Sequence, residues 1–137
     1  LSINYGEYSR WSTNKEINTA NAISHAACAV SRSQRIGVLA TMTHSGYTAR
    51  MAARYRPASK IIALTPFKKT CRKLAIVWGV SPALVKNYKS ADEIPEVANE
   101  ELQKLGLVKK GEDFVVTGGV PVGISGTTNY LTVLTGS

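Results

Sequence analysis

Two near-continuous apolar runs of strand length, RIGVLATM (35–42) and KIIALT (60–65), limit most tightly what this chain can become. Neither alternates polar with apolar residues, so neither suits a strand with one face in water. Runs of this kind belong to strands buried on both faces, as in a parallel sheet covered by helices. Between them lies YTARMAARY (47–55), with helical spacing, ended by Arg56-Pro57.

The rest of the chain continues the alternation. STNKEINTANAISHAACAVS (12–31) opens with a capping box, Thr13 with Glu16. Ile17, Ala20, Ile23, Ala27 and Val30 then recur at helical spacing on a mostly small face, which suits close helix packing. PFKKTCRKLAIVWG (66–79) reads as a helix entered at Pro66 and stopped at Gly79. VSPALV (80–85) is a short third strand. KSADEIPEVANEELQKLG (89–106) carries a second capping box, Ser90 with Glu93, and a terminal Gly106. Pro95 lies too deep for one continuous helix, so this segment is expected to begin as a turn.

DFVVTG (113–118) and NYLTVLT (129–135) are two further strands, joined by the glycine-rich GGVPVGISGTT (118–128). That join has no room for a helix, so the last strand is expected to run antiparallel at an edge. The fold class is therefore α/β: a three-layer, open, mainly parallel five-stranded sheet with an antiparallel edge strand and helices on both faces. One domain is expected over 1–137, with 1–12 as a lead-in segment. The chain begins with Leu1 and not Met, which reads as a processed or excised piece of something longer.

Seventeen Lys and Arg against nine Asp and Glu give a formal charge of +8. This favours an anionic partner, a nucleic acid or a phosphorylated metabolite, or simply makes a basic surface. Aromatic residues are only 7% and show no basic-aromatic platform, which argues against nucleic acid. Cys28 and Cys71 fall among apolar neighbours and read as two free thiols in a reducing compartment, the alternative being one disulfide. His25 and His44 have no metal-ligand spacing. No apolar run approaches the roughly 20 residues of a membrane span, and the first residues do not form a signal peptide.

The chemistry concentrates at the corner after the first strand. Thr43, Ser45 and Thr48 offer hydroxyls and Gly46 permits close approach of backbone to ligand. A helix beginning near Ser45 would add free N–H groups and a positive dipole end. The corner reads either as a phosphate cradle or as a helix cap made by Ser45 or Thr43. The loop TGGVPVGISGTTN (117–129) lacks the sequence of a Walker A loop or a dinucleotide fingerprint. With Ser125, Thr127 and Thr128 it either wraps a ligand or merely connects two strands. No catalytic set is legible. Asp92, Glu93, Glu96, Glu100 and Glu101 read as the solvated side of a helix. Arg50 and Arg54 share a helix face that could reach an anion, but Arg54, Tyr55 and Arg56 read better as pinning the helix end.

NAISHAACAVS, TMTHSGYTARMAARYRPASKIIALTP, LAIVWGVSPALVK and GLVKKGEDFVVTGGVPVGISGTTNYLTV come one after another in an order that resembles the C-terminal domain of bacterial pyruvate kinases, over about residues 13–135. The resemblance implies an α/β domain without the active site. Phosphoenolpyruvate, ADP, Mg²⁺ and K⁺ would bind elsewhere in a cytoplasmic glycolytic parent enzyme, and this domain would hold no cofactor. It implies a site for a phosphorylated allosteric effector, with the phosphate on Thr43, His44, Ser45, Gly46, Tyr47 and Thr48. A second effector loop would contain Gly119, Gly123, Ser125, Gly126 and Thr127. It also implies a subunit interface in a homo-oligomer, with no nucleic acid or membrane as partner.

One departure bears on the effector. Members that bind fructose 1,6-bisphosphate hold its second phosphate partly with a basic residue in the stretch matching ADEIPEVANEELQ (91–103), which has no Arg or Lys here and is acidic. A sugar monophosphate or AMP is therefore expected in place of a bisphosphate. The rival reading is a free-standing phosphometabolite-binding module with no kinase attached.

Overall fold

A computed structural model of the chain describes residues 15–120, 122 and 128–137. The elements in order are α1 (Lys15–Ser33), β1 (Val38–Met42), α2 (Tyr47–Arg54), β2 (Lys60–Thr65), α3 (Lys68–Leu74), β3 (Val80–Leu84), a 3₁₀ turn (Ala91–Glu93), α4 (Ile94–Lys104), β4 (Asp113–Gly118) and β5 (Tyr130–Thr135). Thr13 of the first expected capping box, the lead-in 1–12, and Gly123, Ser125, Gly126 and Thr127 lie outside the described residues.

The strands form one sheet in the order β3-β2-β1-β4-β5. β1 pairs in parallel with both β2 and β4, and β2 pairs in parallel with β3. Only β5 is antiparallel, against β4 at the edge, as the short join between them required. All five residues of β1 are buried. Alternate residues of each central strand serve opposite layers. Leu39, Ile61, Ala63 and Val115 pack with Ala27 and Cys28 of α1, Ala49 and Ala52 of α2, and Leu74 of α3. Ala40, Met42, Ile62, Leu64, Phe114 and Val116 pack with Ile94, Val97, Ala98 and Leu102 of α4. Each fully buried Leu, Ile or Phe contributes about 1.5–3 kcal/mol through its removal from water.

The chain order places the reversal. From β1 through β2 to β3 the strands step outward in one direction, with α2 and α3 on one face. The next connection carries α4 on the opposite face and returns to the far side of β1. The switch point of the sheet therefore lies between β1 and β4, the place where open α/β sheets leave a crevice at their strand carboxyl ends.

Two local readings are corrected. The helix expected over 66–79 runs only from Lys68 to Leu74, with Phe67 as its N-cap, so Pro66 lies outside it. Leu74 is fully buried and is the last residue of that helix facing the core, whereas Ile76 and Trp78 are strongly exposed. Turns closed by Val77 N–H to the Leu74 carbonyl (3.0 Å) and Val80 N–H to the Val77 carbonyl (3.3 Å) then redirect the chain into β3. Likewise α2 starts at Tyr47, not near Ser45, because Gly46 adopts a left-handed conformation.

The second capping box is present, and Pro95 sits in the first turn of α4 after the expected opening turn. The Glu93 carboxylate accepts from the N–H groups of Lys89 (2.7 Å) and Ser90 (3.1 Å). These bonds hold its pKa below the usual carboxylate value. A folded pKa below the unfolded one gives stability that is present above the unfolded value and lost as pH falls through the folded value. Glu93→Ala should therefore lower stability at neutral pH, with the gap from wild type closing in acid. Denaturant titrations at neutral and acidic pH check this; a gap independent of pH would contradict it.

Candidate functional site

The hydroxyl-rich corner follows β1 at its carboxyl end, and the loop opened by Gly118 and Gly119 follows β4, directly beside it in the sheet. Both candidate segments thus flank the switch point. Thr43 is buried; its N–H donates to the Leu64 carbonyl (3.0 Å), and its Oγ1 accepts from Gly46 N–H (2.8 Å). Ser45 Oγ accepts from Tyr47 N–H at a long 3.4 Å. Neither hydroxyl residue is the N-cap of α2. That position belongs to Gly46, at φ +96°, with no side-chain cap bond. The first turn of α2 leaves the amides of Thr48 and Ala49 without an intrahelical carbonyl, as at any helix start.

Thr48 and Thr128 join the two segments. Their Oγ1 atoms lie 3.1 Å apart, across 80 positions of sequence, and both side chains are almost fully buried. One hydroxyl donates to the other, so the pair retains one proton to give. Thr43, whose bond to Gly46 uses it as an acceptor, retains another. Among the described residues no side chain or carbonyl takes either proton. Buried hydroxyls usually find a partner in protein or ordered water, and these two protons are open to such a partner at the corner.

The base of the β4–β5 loop is closed by Asn129. Its N–H donates to the Gly118 carbonyl (3.0 Å), and its side chain both accepts from Val120 N–H (2.8 Å) and donates to the Val120 carbonyl (2.7 Å). Gly119 follows β4 directly at this base.

His44 points its chemistry elsewhere. Its carbonyl accepts from Thr70 Oγ1 of α3 (2.6 Å), and its ring lies between those of Phe67 (5.4 Å) and Tyr88 (5.3 Å). Burial lowers its pKa, so the imidazole is neutral at neutral pH and offers one N–H donor rather than a charge. Burial likewise pushes the Tyr88 hydroxyl up to about 12. Tyr47 is half-buried at the first position of α2.

The arginine cluster behaves as a helix-end anchor. Tyr55 donates its hydroxyl to Asn21 Oδ1 of α1 (3.2 Å), Arg54 contacts Met51 Sδ (3.8 Å), and the Arg56 guanidinium sits 4.7 Å over the Trp78 ring. Arg50 is exposed. Both cysteines are free, and burial raises both thiol pKa values. Among the described residues no three His, Cys, Asp or Glu side chains cluster as metal ligands, and no helix is long and apolar enough to cross a membrane. The acidic residues of α4 face solvent while Ile94, Val97, Ala98 and Leu102 face the core.

Residues 21–134 match the family model described as the pyruvate kinase alpha/beta domain. The chain belongs to the pyruvate kinase family. It is 38% identical over 132 residues to the pyruvate kinase of Clostridium acetobutylicum, covering 96% of this chain and 28% of that protein. To the pyruvate kinase of Sporosarcina psychrophila it is 39% identical over 119 residues, 87% of this chain and 20% of the relative. The chain thus spans between 20% and 28% of the length of these pyruvate kinases and corresponds to their alpha/beta domain. Among solved structures, Cryptosporidium parvum pyruvate kinase in complex with ADP superimposes with a TM-score of 0.75 at 24% identity, covering 87% of this chain and 24% of that one. A further crystal structure of the same enzyme gives a TM-score of 0.73 at 21% identity, covering 87% of this chain and 22% of that one. Both show the shared fold.

Reading along the chain singled out the corner hydroxyls and Thr128 separately, but it missed that Thr48 and Thr128 pair, and it missed the anchoring Thr70. The only signal for either was a threonine in an expected loop or helix. Gly46 is testable against an internal control. Gly46 and Gly79 both have positive φ, but a Cβ on Gly46 would lie 3.1 Å from Leu74 Cδ2 whereas Gly79 faces open space. Gly79→Ala should cost roughly 1–2 kcal/mol for the left-handed backbone alone, and Gly46→Ala distinctly more. Urea titration of both variants checks this, and equal losses would remove the packing argument.

Proposed function

We propose that the chain is the regulatory domain of a pyruvate kinase, that it binds a phosphorylated small-molecule effector at the Thr43–Thr48 corner, and that it contributes a subunit interface. The observation that carries this reading is the Thr48–Thr128 hydroxyl pair, which draws the corner and the β4–β5 loop together at the switch point. A phosphate there would take the spare hydroxyl protons of Thr43 and of the threonine pair, together with the amides of Thr48 and Ala49, which have no intrahelical carbonyl. Ser45, Gly46 and Tyr47 line the same turn, with His44 beside it. Gly119, Gly123, Ser125, Gly126 and Thr127 belong to the second effector loop in this reading. A monophosphate, a sugar monophosphate or AMP, suits the solvent-facing acidic side of α4 better than a bisphosphate does.

The parent enzyme would transfer a phosphoryl group from phosphoenolpyruvate to ADP with Mg²⁺ and K⁺, on parts of the protein outside this domain. The interface would use the β5 edge. The opposite edge strand, β3, carries Pro82, which has no N–H to offer a partner strand, while β5 exposes Val133 on an open edge.

The phosphate reading is tested by calorimetric titration of AMP and sugar phosphates into wild type and Ser45→Glu, with melting curves alongside. The glutamate places a fixed negative charge where the phosphate would sit. Binding should be lost while the fold survives. Thr48→Val, which removes one hydroxyl at nearly constant volume, should weaken binding roughly tenfold to a hundredfold, the worth of one hydrogen bond to a charged group at about 1.5–3 kcal/mol. Unchanged affinity in both variants would reduce the corner to a structural turn. The chain alone should form no ATP from phosphoenolpyruvate and ADP; turnover above background in a coupled assay would overturn its regulatory assignment.

A further inference from the structure

We propose that copies of this chain associate head to tail, the basic outer face of α3 on one copy seated on the acidic outer face of α4 on the next. The contact uses neither the phosphate corner nor the β5 edge and is independent of both.

Charge is segregated along the sequence. No Asp or Glu occurs between Ile17 and Ala91, whereas seven of the nine fall between Asp92 and Asp113. Folding turns that division into two faces. Thr70 and Leu74 bury the inner side of α3, and its four cations, Lys68, Lys69, Arg72 and Lys73, are all exposed. They stand in two rows, Lys68 with Arg72 and Lys69 with Lys73, each pair one turn apart. Like charges at that spacing repel and cost a helix stability. On the other helix, Ile94, Val97, Ala98 and Leu102 face the core, while Asp92, Glu96 and Glu100 are exposed at the same four-residue step. That row is self-repelling too. α3 packs in the layer of α1 and α2, and α4 on the opposite side of the sheet, so the two faces cannot meet within one chain. Between two chains they can, turn against turn.

Among the described residues no ion pair or hydrogen bond occupies the side chains of Lys68, Lys69, Arg72, Lys73, Glu96 or Glu100. Lys86 and Lys89 lie within electrostatic reach of Glu93, which the capping box already holds. The acidic face also has a socket. Leu84, Val85 and Val97 line a cavity of about 230 Å³ together with Glu100, Glu101, Lys86 and Lys104. An apolar lining with carboxylates beside it suits a lysine or arginine, whose aliphatic stem packs while its head stays paired. Phe67, 46% exposed just before Lys68, and Leu84, 43% exposed in the cavity, give each face one open apolar side chain as well. A single exposed ion pair contributes little, so the contact depends on several acting together. Because each copy carries one face of each kind, the contact is heterologous and propagates instead of closing as a two-fold dimer.

The test is sedimentation velocity of the 137-residue chain over a concentration series, at about 0.1 M and about 1 M salt. At the lower salt a screening length of about 10 Å mutes the long-range repulsion between copies of net charge +8 and spares close contacts. At the higher salt, with a length of about 3 Å, the contacts are screened as well. Wild type should form concentration-dependent assemblies at the lower salt and associate at least roughly tenfold more weakly at the higher. Lys69→Glu with Arg72→Glu, and separately Glu96→Lys with Glu100→Lys, should each weaken self-association by at least roughly tenfold. Mixing those two variants should restore a complex, because the intact α3 of one meets the intact α4 of the other. Lys109→Glu with Lys110→Glu, exposed and off both helices, changes the net charge as much as the α3 reversal and should associate as wild type does. Melting curves confirm folding, and the corresponding Gln substitutions stand in for any reversal that unfolds. A wild-type monomer at both salt concentrations, association that survives both reversals, or reversed variants that ignore each other when mixed would overturn the proposal. Association equal at both salt concentrations would overturn it as well and point to the β5 edge.

Discussion

Everything in this domain depends on β1 being enclosed on all four sides. Its backbone is paired with β2 on one side and β4 on the other, and its side chains alternate between the two helical layers. A strand in that position can leave no backbone group unpaired and no side chain in water. The requirement explains why the sequence around 38–42 is apolar without alternation. It also fixes where the chain emerges. The backbone leaves the sheet at Met42 beside the end of β4, so the corner and the β4–β5 loop must come out together.

The two loops are then held by few bonds, each crossing a long stretch of sequence. Thr48 meets Thr128 across 80 positions, and Thr70 reaches the His44 carbonyl across 26. Both bonds are made by threonine hydroxyls, which serve as donor or acceptor as required. Hydroxyls that satisfy each other only in part keep a proton for an external acceptor. On the proposed phosphate reading, such pairs let the corner stay folded when empty and still offer donors to an anion, because no unpaired charge is buried in the empty state.

The misread helix shows where pattern alone fails. The segment LAIVWG is apolar and free of breakers up to Gly79, and periodicity extends a helix through it. The fold instead ends α3 at Leu74, the last residue with core to fill, and leaves Ile76 and Trp78 in solvent, with Trp78 under the Arg56 guanidinium. Helix length here is set by the distance back to the start of β3 and not by the composition of the segment. The opposite holds at 89–106. There Ser90, Glu93 and Pro95 state the turn-then-helix start directly, because capping is local chemistry between residues three apart.

The sequence by itself determined the fold class, the order of elements, the antiparallel last strand and the hydroxyl-rich corner, since each depends on residues within a few positions of one another. Burial on both faces, capping and turn chemistry are all written at short range. Only the tertiary structure decided that the corner and the β4–β5 loop share a switch point, that Gly46 and not Ser45 is the N-cap of α2, and that His44 lies in a row of rings ending at Phe67. Those facts depend on which strands lie side by side. The strand order β3-β2-β1-β4-β5 is a property of the packed sheet and of no local stretch, because it emerges only when helices of different chain segments compete to cover the same two faces.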